Sequence, residues 1–176
     1  DFNNDGDLLD TIFEGAVSQP TGYINIQTND LPAVNFEIRA LRDVFISLEE
    51  PGASVRDWTL SGFIGGLSNF DPAQNVTLRV EGTLTVAGGI VAADSGSGLL
   101  SVQAGSINTD GASVFIAQNL AVNAKGSVKI NTLIDHLTLD STVAGDVLVN
   151  EATGLIVDHL VANDGRIEVV SGNTVY

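Results

Sequence analysis

Three consecutive segments decide the fold: Leu120–Ile130 (LAVNAKGSVKI), Leu137–Val149 (LTLDSTVAGDVLV) and Leu160–Val169 (LVANDGRIEV). Each contains a short alternating apolar strand, a turn with glycine, and a second alternating strand. The segments start 17 and 23 residues apart, and Asp-His-Leu occurs at 135–137 and again at 158–160. Because a repeat of roughly 20 residues without helical periodicity is typical of stacked coils, the sequence predicts a β-solenoid.

The same alternation extends over most of the chain. Residues 1–21 form an acidic, Asn-containing entry segment, and residues 22–176 are predicted to form the solenoid. An irregular excursion is expected around residues 61–74, where Gly65-Gly66 and Asp71-Pro72 interrupt the pattern. An antiparallel sandwich is the alternative, since it also has many short strands. The similarity in register between the repeats favours the solenoid.

Composition narrows the classes of function. The chain has 176 residues, a net charge of −15, no cysteine and no methionine. The charge disfavours binding to nucleic acid, and no apolar run is long enough for membrane insertion. The lack of cysteine rules out disulfides and thiolate catalysis. The lack of methionine suggests a chain processed or excised from a longer one, and the low lysine content suggests a secreted bacterial protein.

The repeat phrase in Leu120–Ile130 and its successors resembles the repeat region of filamentous-haemagglutinin-type adhesins and related giant repetitive surface proteins of Gram-negative bacteria. The resemblance covers residues 75–176 well and residues 20–60 loosely. It implies a right-handed parallel β-helix, an extracellular or cell-surface location, and a role in adhesion or in a structural fibre. The secretion domain of those adhesins is not evident in this sequence.

The N-terminus carries a candidate metal site. Asp1, Asn3 and Asp5, followed by Gly6, reproduce the first half of a calcium loop, in which alternate oxygens converge on the ion. The pattern resembles the calcium loops of dockerins but departs from it at Leu9 and Ile12. The predicted ligands are Asp1, Asn3, Asp5 and Asp10, and calcium is the predicted cofactor. A solvated acidic turn at the chain end is the competing interpretation.

Other residues carry side chains capable of chemistry. His136 and His159 occupy equivalent repeat positions and are expected to stack as a pair on the surface. A metal ion bound by the two histidines is the competing interpretation. Trp58 is expected to fill the core or cover the edge of the solenoid, and ligand binding is the competing interpretation. Phe36, Phe45 and Phe115 alternate as core residues would. Carboxylates for glycoside cleavage are available at Glu49-Glu50 and at four scattered aspartates: Asp94, Asp110, Asp140 and Asp146.

The sequence therefore predicts an all-β structural segment of an exported surface or extracellular protein, such as an adhesin stalk, a fibre or a surface-layer component. It is not expected to be an enzyme. Its expected partner is another copy of itself, joined end to end, or the continuing parent protein. The alternative is a carbohydrate-binding or tailspike-like β-helix module that recognises a cell-surface polysaccharide.

Overall fold

The computed structural model describes residues 24–27, 35–39, 42–48, 57–65, 74–94 and 96–176. These residues form fourteen strands, and no helix occurs among them. The strands are β1 (Ile24–Gln27), β2 (Asn35–Arg39), β3 (Asp43–Leu48), β4 (Trp58–Gly65), β5 (Asn75–Val80), β6 (Thr83–Val86), β7 (Ile90–Ala92), β8 (Leu99–Ala104), β9 (Ser106–Thr109), β10 (Val114–Ala124), β11 (Val128–Ser141), β12 (Val147–Glu151), β13 (Ile156–Ala162) and β14 (Ile167–Ser171).

Every pair formed by these strands is parallel, and the strands stack in three columns. The first column contains β1, β3, β5, β8, the second half of β10, the second half of β11, and β13. The second contains the start of β4, then β6, β9, the start of β11, β12 and β14. The third contains β2, the end of β4, β7 and the first half of β10, followed by the middle of β11.

The chain visits the columns in this order, so it winds as a coil. From residue 74 onward it completes about five turns, and the prediction of a parallel β-solenoid is confirmed. The sandwich alternative is wrong, because its sheets would be antiparallel.

The core consists of the apolar side chains that occupy every second position of the strands and point inward. Val76, Leu100, Leu120 and Leu137 lie above one another in the first column, and each is at most 1% exposed. Val128 and Val147 stack in the same way in the second column. Since side chains alternate between the two faces of a strand, this parity places the intervening residues on the outside. The interior is thus a set of apolar columns along the solenoid axis.

Glycines form the corner between the first and second columns because adjacent coils approach too closely there for a side chain. The amide of Gly126 donates to the carbonyl of Gly105 at 2.7 Å. A Cβ placed on Gly145 would lie 2.4 Å from the backbone nitrogen of Ser127 and 2.7 Å from its Cα. The glycines that open the second strand of each repeat therefore have a steric role in stacking.

Polar side chains connect the coils on the outside. Asn75 donates from its side-chain amide to Asp43 Oδ1 at 2.8 Å, and its own Oδ1 accepts from the amide of Leu99 at 3.0 Å. Asn150 donates to Asn131 Oδ1 at 3.0 Å in the same manner. Each bond spans one coil, so these side chains reinforce the register that the apolar columns set.

Two details of the predicted layout are corrected. Leu160 pairs with Leu139, not with Leu137, because residues that pair between β11 and β13 are 20 to 21 residues apart, whereas the two Asp-His-Leu segments are 23 residues apart. Residues 61–65, the start of the predicted excursion, are the second half of β4. Residues 66–73, its remainder, are not among the described residues, and neither is the entry segment 1–21.

Candidate functional site

The outer face of the last two coils holds the most concentrated group of ionisable side chains. His136 Nδ1 lies 3.0 Å from Asp158 Oδ2, and His159 Nε2 lies 2.8 Å from Asp140 Oδ1. Each pair joins β11 to β13, and in each pair the histidine of one strand contacts an aspartate of the other. The four side chains are between 36% and 52% exposed. We refer to these four residues as the His–Asp clasp.

The clasp differs from the predicted histidine ladder. His136 is in register with Ile156, and His159 is in register with Thr138, so the two rings do not stack. The coil length causes this offset, because paired residues of β11 and β13 are 20 residues apart before the inserted Asp158 and 21 apart after it, whereas the two histidines are 23 residues apart. Each imidazole instead meets a carboxylate of the neighbouring coil. Sequence spacing alone carries no signal for this insertion.

The clasp is best explained as a structural contact. Even where both partners of such an exposed contact are charged, it stabilises a fold by only about 0–1 kcal/mol. Among the described residues, no group of three or more histidine, aspartate or glutamate side chains is arranged to hold a metal ion. The clasp therefore holds the last coil to the preceding one beside the irregularity in β13.

Glu151 was not identified by any sequence motif. Among the described residues, it is the carboxylate that lies in the core. It is 4% exposed. Its Oε2 accepts from Thr132 Oγ1 at 2.8 Å and from the amide of Ile134 at 3.1 Å. Its Oε1 accepts from the amide of Thr153 at 2.8 Å and from the hydroxyl of Thr153 at 2.9 Å. All of these donors belong to the chain, so the carboxylate stabilises the corner between the second and third columns.

The sequence nevertheless indicates that the side chain of Glu151 points into the core. Val147 and Val149 point inward, and continuing their alternation by two residues places Glu151 inward as well. The donors that surround it come from the preceding coil and from Thr153, and their arrangement depends on the stacking register.

The four scattered aspartates that are candidates for glycoside cleavage each bind a local partner. Asp94 Oδ1 accepts from the amide of Gly96 at 2.9 Å, and Asp146 Oδ1 accepts from the amide of Arg166 at 2.9 Å. Asp140 is in the clasp. Asp110 accepts from Ser113 Oγ at 2.5 Å and from the amide of Gly88 at 3.0 Å. Glu49-Glu50 is not among the described residues.

These bonds lower two pKa values. The Ser113 hydroxyl, followed by the Gly88 amide, lowers the pKa of Asp110 below its ordinary value of 3.8. The amide of Gly96, followed by the Ser97 hydroxyl, lowers the pKa of Asp94. Hydrogen bonds to a carboxylate favour its charged form, which is the reason for both shifts.

The lowered pKa of Asp110 predicts a loss of stability in acid. The stabilisation is fully present above pH 3.8, the ordinary value, and disappears as the pH falls through the lower pKa of the folded state. Asp110→Asn should therefore show a flatter decline of the melting temperature below this pH than the wild-type chain. The exposed Asp135 makes none of the described hydrogen bonds, so Asp135→Asn should decline like the wild type. Equal acid profiles for Asp110→Asn and the wild type would contradict the assignment.

The aromatic side chains divide between the core and the surface. Trp58 is 2% exposed and Phe115 is fully buried, as predicted. The prediction that Phe45 lies in the core is wrong. Phe45 lies between the inward residues Val44 and Ile46, so it points outward, where the guanidinium of Arg79 lies 5.3 Å from its ring centroid. The side chain of Phe36 is not among those described.

The predicted calcium ligands Asp1, Asn3, Asp5 and Asp10 also lie outside the described residues, so calcium binding stays a prediction.

In the part of the chain that is described, no helix has the length and apolar character to cross a membrane. No protein-family model, curated protein or solved structure matches the chain.

Proposed function

We propose that the chain is a structural segment of an exported bacterial surface or extracellular protein, where it serves as an adhesin stalk, a fibre or a surface-layer component. The observation that carries this proposal is the continuous stack of parallel coils from residue 74 onward. Such a stack satisfies the backbone of each coil by pairing with the next and fixes a rod of defined direction. A rod holds other parts of a protein at a distance, and it needs no catalytic group.

The surface chemistry supports the same role. The described carboxylates that are candidates for catalysis bind turns, strands and histidines of their own chain. The net charge of −15 favours a hydrated surface that resists unspecific association. The proposal includes calcium binding at Asp1, Asn3, Asp5 and Asp10, which would stiffen the entry to the rod.

The first test of this role is location and shape. Antibodies against the chain should label intact cells of the organism that makes it, and the label should disappear after external protease treatment. Electron microscopy of the purified chain, first in calcium and then in chelator, should show short rods. Labelling that requires cell permeabilisation would contradict an exported role, and globular particles would contradict a stalk.

Recognition of a polysaccharide is the second candidate, favoured by the outer face of the first column. Gln103 and Asn123 lie exposed and in register on neighbouring strands of that face, about 4.8 Å apart, and the exposed Thr138 lies on the next strand, two positions before Asp140, the residue that pairs with Asn123. Their amide and hydroxyl groups match the hydrogen-bonding groups of a sugar chain. Binding of the purified chain to surface polysaccharide, lost in Gln103→Ala/Asn123→Ala, would favour this candidate over a passive stalk.

A further inference from the structure

We propose that the outer face of the first column binds a neutral, linear polysaccharide, which lies along the solenoid axis in a shallow groove. This inference rests on polysaccharide recognition, the second function proposed above, and names the place and the charge class of the ligand. It fails separately from that function, because a polysaccharide bound on another face, or a charged one, would still be recognised by the chain.

Small side chains form the floor of the groove. One outward position of each first-column strand is aligned from coil to coil by the pairing register, from β3 through β13. The row begins with a phenylalanine and ends with a histidine, and the four side chains between these two rings are no larger than threonine. In chain order the row is Phe45, Thr77, Ser101, Ala121, Thr138 and His159.

Longer polar side chains border this floor on one side. They lie two positions further along each strand, where Gln103 pairs with Asn123. Both are exposed, whereas the adjacent floor residues Ser101 and Ala121 are only partly exposed. The side-chain amides of Gln103 and Asn123 make none of the hydrogen bonds found among the described residues. Each amide can therefore donate to and accept from a sugar hydroxyl.

The opposite border lies two positions before the floor residues. It contains Leu99, which pairs with Asn119, and His136, which pairs with the same asparagine from the other side. Leu99 is 41% exposed although it is apolar. The C–H face of a sugar ring is apolar as well, so Leu99 can pack against it. Apolar contact combined with a few polar groups that fix orientation is typical of ligand sites.

The strand spacing sets the direction of the bound chain. Neighbouring strands lie about 4.8 Å apart, which is close to the length of one sugar unit in an extended polysaccharide. A polysaccharide along the solenoid axis therefore meets an equivalent position of the next strand with each successive unit. Since the small floor residues lie on β5, β8, β10 and β11, the groove accommodates about four sugar units.

Charge selects a neutral ligand. The net charge of −15 repels a polyanion. On β8 and β10, which form the middle of the groove, the outward side chains of this face are uncharged. The guanidinium of Arg79, at one end, lies 5.3 Å from the ring centroid of Phe45. The carboxylate of Asp140, at the other end, lies 2.8 Å from His159. Both charged groups thus have partners within the chain.

Ala121→Gln tests the groove, because it places a long uncharged side chain on the floor at an outward position. Thr85→Gln is the matched control. Thr85 is a partly exposed residue of β6 in the second column, so the same side chain is added to a different face. Circular dichroism and thermal melting verify that both variants are folded. Should Ala121→Gln not fold, Gln103→Ala/Asn123→Ala supplies the test, because it only shortens exposed side chains.

Isothermal titration calorimetry gives the result, with neutral linear glucan, mannan, galactan and xylan oligosaccharides, each beside its sulfated derivative. We expect the wild-type chain and Thr85→Gln to bind at least one neutral oligosaccharide. Ala121→Gln should raise its dissociation constant about tenfold or more, the equivalent of one or two lost hydrogen bonds.

Two wild-type results would overturn the inference: binding to none of the oligosaccharides, or tighter binding to a sulfated derivative than to its neutral parent. Equal binding by folded Ala121→Gln, or by the double variant used in its place, would put the ligand on another face. Polysaccharide recognition would then stand, and the groove would not be its site.

Discussion

Gly145→Ala is expected to lower the free energy of unfolding by about 1–3 kcal/mol, the range for forcing an extra methyl group into a closely packed site. The new Cβ would lie 2.4 Å from the backbone nitrogen of Ser127 and 2.7 Å from the carbonyl carbon of Gly126. Those atoms belong to the neighbouring coil and are held by its hydrogen bonds, so they cannot move aside as a flexible side chain would. Denaturant unfolding followed by circular dichroism measures the loss.

Gly111→Ala is the matched control for this experiment. A Cβ on Gly111 meets no atom within 4 Å, and the residue lies in the exposed turn between β9 and β10. The same glycine-to-alanine change should therefore alter stability by no more than about 0.5 kcal/mol. If Gly145→Ala proved as mild as Gly111→Ala, the corner would have room to separate, and neither close stacking nor the positive φ of Gly145 (158°) would account for the glycine.

The recurring positions of these glycines explain why the fold could be predicted from the sequence. Gly126, Gly145 and Gly165 each precede an alternating strand, and those strands stack in register as Val128, Val147 and Ile167. Both the alternation and the glycine corner are local features that recur along the stack. A local feature that repeats is visible in a single sequence, so the solenoid and its apolar columns could be predicted.

Features that depend on one residue are harder to predict. His159 is offset from His136 because paired residues of β11 and β13 are only 20 to 21 residues apart, and nothing in the Asp-His-Leu repeat, whose copies are 23 residues apart, reveals this shorter coil. The residue type of Phe45 predicts a core position, whereas the parity of Val44 and Ile46 places it outside. Parity is thus a better guide than hydrophobicity. The predicted calcium ligands lie outside the described residues, and their role stays a prediction.

Glu151→Leu is expected to lower the free energy of unfolding by roughly 3 kcal/mol, although leucine adds apolar surface to the core. The substitution removes the acceptor for the Ile134 amide and leaves the Thr132 hydroxyl with only its long bond to the carbonyl of Asn150 at 3.4 Å, and both residues are buried. A buried donor left without a partner costs about 1–3 kcal/mol. Thr153 is exposed, so its amide and hydroxyl can bind water instead. Glu168→Leu, on the exposed side of β14, should change stability by no more than about 0.5 kcal/mol.

A double-mutant cycle separates the hydrogen bonds of Glu151 from the general effect of altering the core. Thr132→Val removes one of the two stranded donors, so it should cost less in the Glu151→Leu background than in the wild-type chain. The expected coupling is about 1 kcal/mol or more, since the two residues share a buried bond. Additive losses would mean that the carboxylate and the hydroxyl act independently. Coupling together with a large single loss would show that the buried bond between Glu151 and Thr132 stabilises the corner between the second and third columns.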